Sequence, residues 1–79
     1  MRSSPKYSFF RVMIGGELVD VDIFQYSHKT TVVMSMLYYN QEQIIMASVT
    51  APERKIAIKG AALLFQETQS DFLKRQILL

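Results

Sequence analysis

The segment that most constrains the fold is residues 40–65, which contains two strand-like runs, Pro52 and the beginning of a helical pattern. Residues 43–50 are rich in β-branched and apolar side chains, which is typical of a strand. Pro52 interrupts this run, and the Ile-Ala-Ile sequence of residues 56–58 alternates once more before Gly60. We therefore predict a strand, a second strand and then a helix that begins at about Gly60.

The first half of the chain predicts three more strands. Residues 7–14 are dominated by aromatic and β-branched side chains, and residues 18–24 alternate between aliphatic and more polar positions. Between them, Gly15-Gly16 can supply the positive φ angles of a tight hairpin turn. Residues 30–39 are apolar on both faces, which is typical of a strand that is covered twice. The predicted fold class is mainly β, with five short antiparallel strands followed by one C-terminal helix.

An alternative interpretation concerns the start of the helix. Thr50 and Glu53 have the spacing of a capping box, and Pro52 would occupy an early helical position, so a helix could begin near residue 51. Against this, Ile56 and Ile58 alternate as in a strand, and Gly60 inside a helix costs about 1 kcal/mol. The five-strand interpretation is favoured, and the helix through residues 52–59 is its alternative.

Several of these segments resemble the CsrA/RsmA family of post-transcriptional regulators, and the similarity covers about residues 8–75. It is carried by Asn40-Gln41, the apolar strand that follows, Ala51-Pro52, the Ile56-Ala57-Ile58 strand before the terminal helix, and the earlier Gly16-Glu17 turn. In that family two chains interlock, and the first strand of one lies beside the fifth strand of the other to form an RNA site. The resemblance implies an intertwined or sheet-sharing homodimer that binds RNA and regulates translation.

The two strands that would form this site are basic here. The residues that we predict to bind RNA are Arg11, Arg54, Lys55 and Lys59. The family's arginines at the end of strand one correspond to Met13 and Ile14, and its histidine-arginine pair after strand five corresponds to Lys59 and Gly60. Phosphate contacts are therefore expected to dominate over base-specific recognition. The alternative for residues 54–59 is a solvated edge strand whose charges deter aggregation.

A second resemblance also implies an RNA-binding protein. The sequences QIIMASVT and IAIKGAALLFQET are similar to the tryptophan-dependent RNA attenuation protein family, whose members form all-β rings. Most of that family's threonine-rich tryptophan pocket is missing here, since Thr50 alone stands in a suitable place. An attenuation-protein-like ring is therefore ranked below the dimer.

Length and composition predict one domain that needs a partner. A chain of 79 residues can bury only about 60–65% of its unfolded surface, and without cysteine it has no disulfide to supplement a small core. We therefore expect that burial of apolar surface in a homodimer interface adds to the stability of this small core. Residues 1–6 are expected to form a flexible arm, residues 7–59 the β region and residues 60–79 the helix. The net charge of +2 is too small to indicate an anionic partner by itself.

No catalytic constellation is visible, and we expect neither a metal nor another cofactor. His28 stands alone in a predicted loop, and Asp20 and Asp22 offer too few oxygens for a cation shell from one strand.

The rival to RNA binding is a protein-interaction module or inhibitor that uses the apolar face of residues 30–39 and the C-terminal helix. No apolar run approaches the roughly 18 residues of a membrane span, and the beginning of the chain lacks a signal-peptide pattern. A cytoplasmic protein is the expectation.

Overall fold

The computed structural model describes residues 4–37 and 42–78. In these residues four strands are followed by one helix: β1 (Lys6–Ile14), β2 (Glu17–Gln25), β3 (Thr30–Leu37), β4 (Gln43–Ala51) and α1 (Arg54–Leu78). The strands form one antiparallel sheet in the order β1-β2-β3-β4. The prediction of a mainly β fold with one C-terminal helix is confirmed, but the number of strands is four and not five.

The predicted fifth strand is wrong because residues 54–59 form the first turns of α1. Ala57, Ala61 and Phe65 are fully buried, and their spacing of four residues places them on one side of a helix. The backbone N–H of Ala57 donates to the carbonyl oxygen of Glu53 at 3.0 Å, which closes the first helical turn. The Ile-Ala-Ile alternation is compatible with a strand and with a helix. The buried apolar residues that continue at a spacing of four to Phe65 are compatible only with the helix.

The observed start of α1 at Arg54 is therefore closer to the alternative prediction, a helix from about residue 51, than to a start at Gly60. The Thr50 side chain does not cap this helix, however. The Thr50 hydroxyl lies 2.8 Å from that of Thr31 across β3 and β4, and Ala51 still belongs to β4. Gly60, whose helix propensity argues against a helix, permits a close approach of α1 to the sheet. A Cβ at this position would lie only 3.3 Å from Val49 Cγ1.

The turn between β1 and β2 follows the sequence prediction. Gly15 and Gly16 have φ angles of 59° and 80°, and Ile14 pairs with Glu17 across a two-residue hairpin. A side chain on Gly15 would also collide with α1, because its Cβ would lie 2.9 Å from Gln69 Oε1. Gln69 is buried, and its amide donates to the carbonyl oxygen of Ile14 at 3.2 Å. This contact ties the second half of the helix to the hairpin.

The core lies between α1 and one face of the sheet. As the alternation predicts, this face buries Val19, Val21 and Ile23 of β2 and Val32, Met34 and Met36 of β3. The helix packs mainly on β3 and β4. Between Met34 and Ser35 the register of β3 against β4 shifts, so that Met46 becomes an extra residue on β4 and is buried.

Within the described residues, no second layer packs on the face of β3 opposite α1, and the second cover that the sequence predicts stays a prediction. Val33 is half-buried and Leu37 is exposed on the face opposite α1. We call this surface the open face. The predicted turn at Asn40-Gln41, the continuation of the strand through Tyr39 and residues 1–3 of the predicted arm lie outside the described residues. Within the described residues, no helix has the length and apolarity needed to span a membrane.

Candidate nucleic-acid interface

The sheet register brings distant parts of the chain to one end of the molecule. Lys6 pairs with Gln25, Gln25 pairs with Thr30, and Thr30 pairs with Ala51. The beginning of β1, the β2–β3 hairpin and the end of β4 therefore lie in one row. Because α1 begins three residues after Ala51, its first turns are attached to the same row. We call this row, the hairpin residues 26–29 and residues 52–59 the basic end.

Positive charge is concentrated at the basic end. Its exposed cationic side chains are Lys6, Lys29, Arg54, Lys55 and Lys59. Among the described residues of this end the one carboxylate is Glu53, so five cations and one anion give a formal charge of +4. The whole chain carries +2, which means that the remainder is net acidic. Such a separation produces a local positive potential that the small net charge conceals.

The charge at the start of α1 is not explained by helix stability. The first turn contains no acidic residue and begins with Arg54 and Lys55. The N-terminus of a helix carries a partial positive charge, so each cation in its first turn costs a few tenths of a kcal/mol, up to about 1 kcal/mol. These side chains oppose the macrodipole, so helix stability does not account for their presence.

The β2–β3 hairpin adds an aromatic ring to the basic end. The backbone N–H of Tyr26 donates to the carbonyl oxygen of Lys29 at 2.8 Å, which closes the turn. The Lys29 Nζ atom lies 5.5 Å from the centroid of the Tyr26 ring, a cation–π distance. Tyr26 is 41% exposed, and His28 in the same turn is also exposed. One face of the ring thus meets a cation while part of its surface is open to solvent.

Arg11 does not belong to this end. It lies on the open face, five residues along β1 from Lys6, or about 17 Å. Its Nε atom is 2.6 Å from Oδ1 of Asp20 on β2. The hydrogen bond from Arg11 holds the pKa of Asp20 below its usual value, and the same bond raises the pKa of Arg11. Within one chain, the structure brings Arg54, Lys55 and Lys59 together and leaves Arg11 on another surface.

Polar side chains form separate hydrogen-bonded groups on the open face. Asp20 also accepts a hydrogen bond from Gln43 Nε2 at 2.9 Å, and the same amide lies 2.8 Å from Ser35 Oγ. Tyr7 donates to Asp22 at 2.5 Å, and this hydrogen bond is the main cause of the raised pKa of Tyr7. Both aspartates thus have donors from neighbouring strands. In the described part of the chain, no three His, Asp or Glu side chains form a group that could hold a metal ion.

Sequence reasoning misses Lys6, Lys29 and Tyr26 as parts of one surface. It places Lys6 in the arm and interprets the hairpin as a loop without a role. The signal that could have found them is topological, because in a four-stranded antiparallel meander the start of strand one, the second hairpin and the end of strand four share one end.

Comparison of the chain with protein-family models, with curated proteins and with solved structures gives no match.

Proposed function

We propose that this protein is a small, non-catalytic RNA-binding regulator and that its basic end holds the RNA. The observation that carries the proposal is that five exposed cations and a partly exposed tyrosine lie at one end of the sheet. Lysine and arginine side chains neutralise phosphates, and aromatic side chains stack on unpaired bases. The combination fits a single strand better than a duplex, whose bases are not available for stacking.

Recognition by this surface is expected to tolerate sequence differences. Lys6, Lys29, Lys55 and Lys59 can act as point charges on phosphates, and Tyr26 can stack on any base because every base has a π face. Arg54 is the one side chain of this end with the planar donor fork needed for bidentate base contacts. Binding of single-stranded segments near a translation start would let such a protein control translation without chemistry of its own.

The test is a fluorescence titration of short single-stranded RNAs at several salt concentrations. The double variant Lys55→Gln/Lys59→Gln leaves two phosphates without a cation, so its affinity should fall by a similar factor for RNAs of different sequence. The slope of log K against log salt should become shallower by about 0.7 for each single-strand phosphate that is no longer neutralised. The matched control is Lys74→Gln/Arg75→Gln, which removes the same charge from two exposed positions near the other end of α1.

The two double variants separate a local site from a general charge effect. The proposal requires a larger decrease in affinity for the Lys55/Lys59 pair than for the Lys74/Arg75 pair. Equal decreases would mean that RNA senses only the net charge, and absence of binding by the unaltered chain at low ionic strength would remove the proposal altogether. Tyr26→Leu should weaken binding to single strands and leave duplex binding unchanged, since only the stacking surface is removed.

A second candidate function is a protein-interaction module. It is favoured by one observation, the exposed apolar side chains of β1, which include Tyr7, Phe9, Phe10 and Met13. If RNA binding is absent while a partner protein protects these side chains from solvent, this alternative takes precedence.

A further inference from the structure

β1 is the least covered strand of the sheet. Tyr7, Phe9, Phe10 and Met13 are 55%, 49%, 41% and 63% exposed, whereas each of the other strands contributes one exposed large apolar side chain, Leu18, Leu37 and Ile45. The exposure occurs on both faces, because Phe10 points to the side of α1 and the other three point to the open face. Apart from the contact of Gln69 with Ile14, the helix covers little of β1, since it packs mainly on β3 and β4.

The outer edge of β1 has unused backbone groups. Among the described residues β1 has β2 as its one neighbour in the sheet. A two-residue hairpin is closed by a hydrogen-bonded pair, here Ile14 and Glu17, so the even-numbered residues of β1 exchange hydrogen bonds with β2. The odd-numbered residues therefore direct their N–H and C=O groups to the free edge. They are Tyr7, Phe9, Arg11 and Met13.

The other edge of the sheet is better protected. β4 carries the irregularity at Met46, and α1 packs along it. Bulges and covering helices are common means of preventing edge-to-edge association. β1 has neither feature, since its nine residues pair with β2 in unbroken register and contain no proline. A long, regular and apolar edge of this kind is suited to pairing with another strand.

We propose that β1 pairs antiparallel with β1 of a second copy of this chain, with the two-fold axis at Phe10. Because the strand extends from residue 6 to residue 14, Phe10 is its midpoint, and this register lets all nine residues of both copies overlap. The proposal gives the homodimer a defined surface, a shared sheet of eight strands. It does not depend on RNA binding, because the pairing uses the backbone and apolar side chains of β1.

The strand is complementary to itself in this register. Phe9 lies opposite the partner's Arg11, and Tyr7 lies opposite the partner's Met13. These are cation–π and sulfur–aromatic combinations. The two Phe10 side chains meet in a pair without mutual backbone hydrogen bonds, where cross-strand side chains are closest. An axis at Arg11 would instead place two guanidinium groups opposite each other. This self-complementarity is the reason for choosing a second copy over a different protein.

The expected dimer is reversible. Pairing of one nine-residue strand buries less than the roughly 800 Å² per partner of a standard interface, so we expect a dissociation constant on the order of micromolar. Sedimentation of the unaltered chain over a wide concentration range measures it directly. A chain that stays monomeric at several hundred micromolar, well above the expected constant, would overturn the proposal.

A single engineered cysteine tests the register, because the chain has none of its own. In the Phe10→Cys variant the two Cα atoms would be about 4.5 Å apart, which is within disulfide range. In the Met13→Cys control, the same residues of the two copies lie six positions apart along the strands, or about 20 Å. Under mild oxidation Phe10→Cys should form a covalent dimer, and Met13→Cys should not, although Met13 is more exposed.

This result requires a folded protein, so circular dichroism accompanies both cysteine variants. The covalent dimer of Phe10→Cys should no longer form when oxidation is performed in denaturant. Cross-linking of both variants to the same extent would show random collision and overturn the register. A folded Phe10→Cys variant that stays monomeric after oxidation would overturn it as well.

A charge comparison at Phe9 gives a second test that leaves the two-fold position intact. Within its own chain Phe9 pairs with Asp22, so a lysine suits the monomer better than a glutamate. Across the proposed dimer the residue opposite position 9 is the partner's Arg11, so a glutamate there suits the dimer better than a lysine. Sedimentation should show a dimer roughly tenfold weaker for Phe9→Lys than for Phe9→Glu, with two such contacts in each dimer. Equal values, or the opposite order, would contradict the proposed pairing.

Discussion

β1 and β3 have similar apolar sequences but very different surroundings. Val32, Met34 and Met36 of β3 are almost completely buried, whereas Phe9 and Phe10 of β1 retain close to half of their exposure. β3 has a strand on each side and α1 above it, and β1 lies at the edge of the sheet. Burial in this protein is therefore determined by position relative to the helix, and not by the apolarity of the strand itself.

The path of α1 explains the difference. Ala57, Ala61 and Phe65 hold the first half of the helix against the sheet, and small side chains at two of these positions allow close contact with β4. Further along, Gln69 reaches the hairpin end of β1 through the carbonyl oxygen of Ile14. Phe10, nearer the middle of β1, is left partly exposed. The covered region supplies the stability of the fold, and the uncovered strand remains exposed to solvent.

The largest effect is expected from truncating the same type of residue in the two regions. Phe65→Ala removes a fully buried ring from the core and should lower the free energy of unfolding by about 3–5 kcal/mol. Phe9→Ala removes a half-exposed ring and should cost less than about 1 kcal/mol in the monomer. Urea unfolding at low protein concentration measures both. Similar destabilisation in the two variants would invalidate the comparison between covered and uncovered strands.

A smaller effect is expected where the helix meets the hairpin. Gln69→Leu keeps an apolar stem but leaves the Ile14 carbonyl without its side-chain donor, so unfolding should become easier by about 1–3 kcal/mol. The matched control is Gln66→Leu, at an exposed position of the same helix, where a change within about 0.5 kcal/mol is expected. Hydrogen exchange of the β1–β2 hairpin should increase in Gln69→Leu alone. Unchanged exchange would show that this contact does not hold the hairpin.

The ion pair that links β1 to β2 on the open face predicts a pH dependence. The pKa of Asp20 is lowered in the folded chain, chiefly by its hydrogen bond from Arg11. Its stabilising contribution is therefore fully present above the unfolded pKa of about 3.9 and is lost as the pH falls through the lower folded pKa. The difference in unfolding free energy between the unaltered chain and Asp20→Asn should be constant near neutrality and should shrink in acid. A difference that does not change down to about pH 2 would contradict this assignment.

The smallest effect is expected at Gly60, where two contributions oppose each other. Alanine in a helix interior is more favourable than glycine by about 1 kcal/mol, but its Cβ would lie 3.3 Å from Val49 Cγ1. Gly60→Ala alone should therefore change stability by less than about 1 kcal/mol. In a Val49→Ala background the contact is relieved, and the same substitution should become stabilising. Identical effects in both backgrounds would mean that the close approach to β4 carries no cost.

Much of the sheet follows from local sequence, because its signals act over a few residues. The alternation of Val19, Val21 and Ile23 identifies the buried face of β2, and the two glycines of the first hairpin meet the need for positive φ angles. The cations Arg54, Lys55 and Lys59 are also recognisable as a group from their closeness in the chain. These features need no knowledge of the rest of the molecule.

Other features were decided by contacts between distant segments. Residues 56–58 satisfy both a strand pattern and a helix pattern, and the burial of Ala57, Ala61 and Phe65 on one side of the helix distinguishes them. Lys6, Lys29 and Lys55 are far apart in sequence, and the strand register places them at the same end of the sheet. Whether an apolar strand is covered depends on where a single helix crosses a sheet. The sequence by itself determined the alternation of apolar and polar side chains along the strands and the position of the glycine turn. Strand register and the position of the helix on the sheet arise from long-range packing that no local pattern specifies.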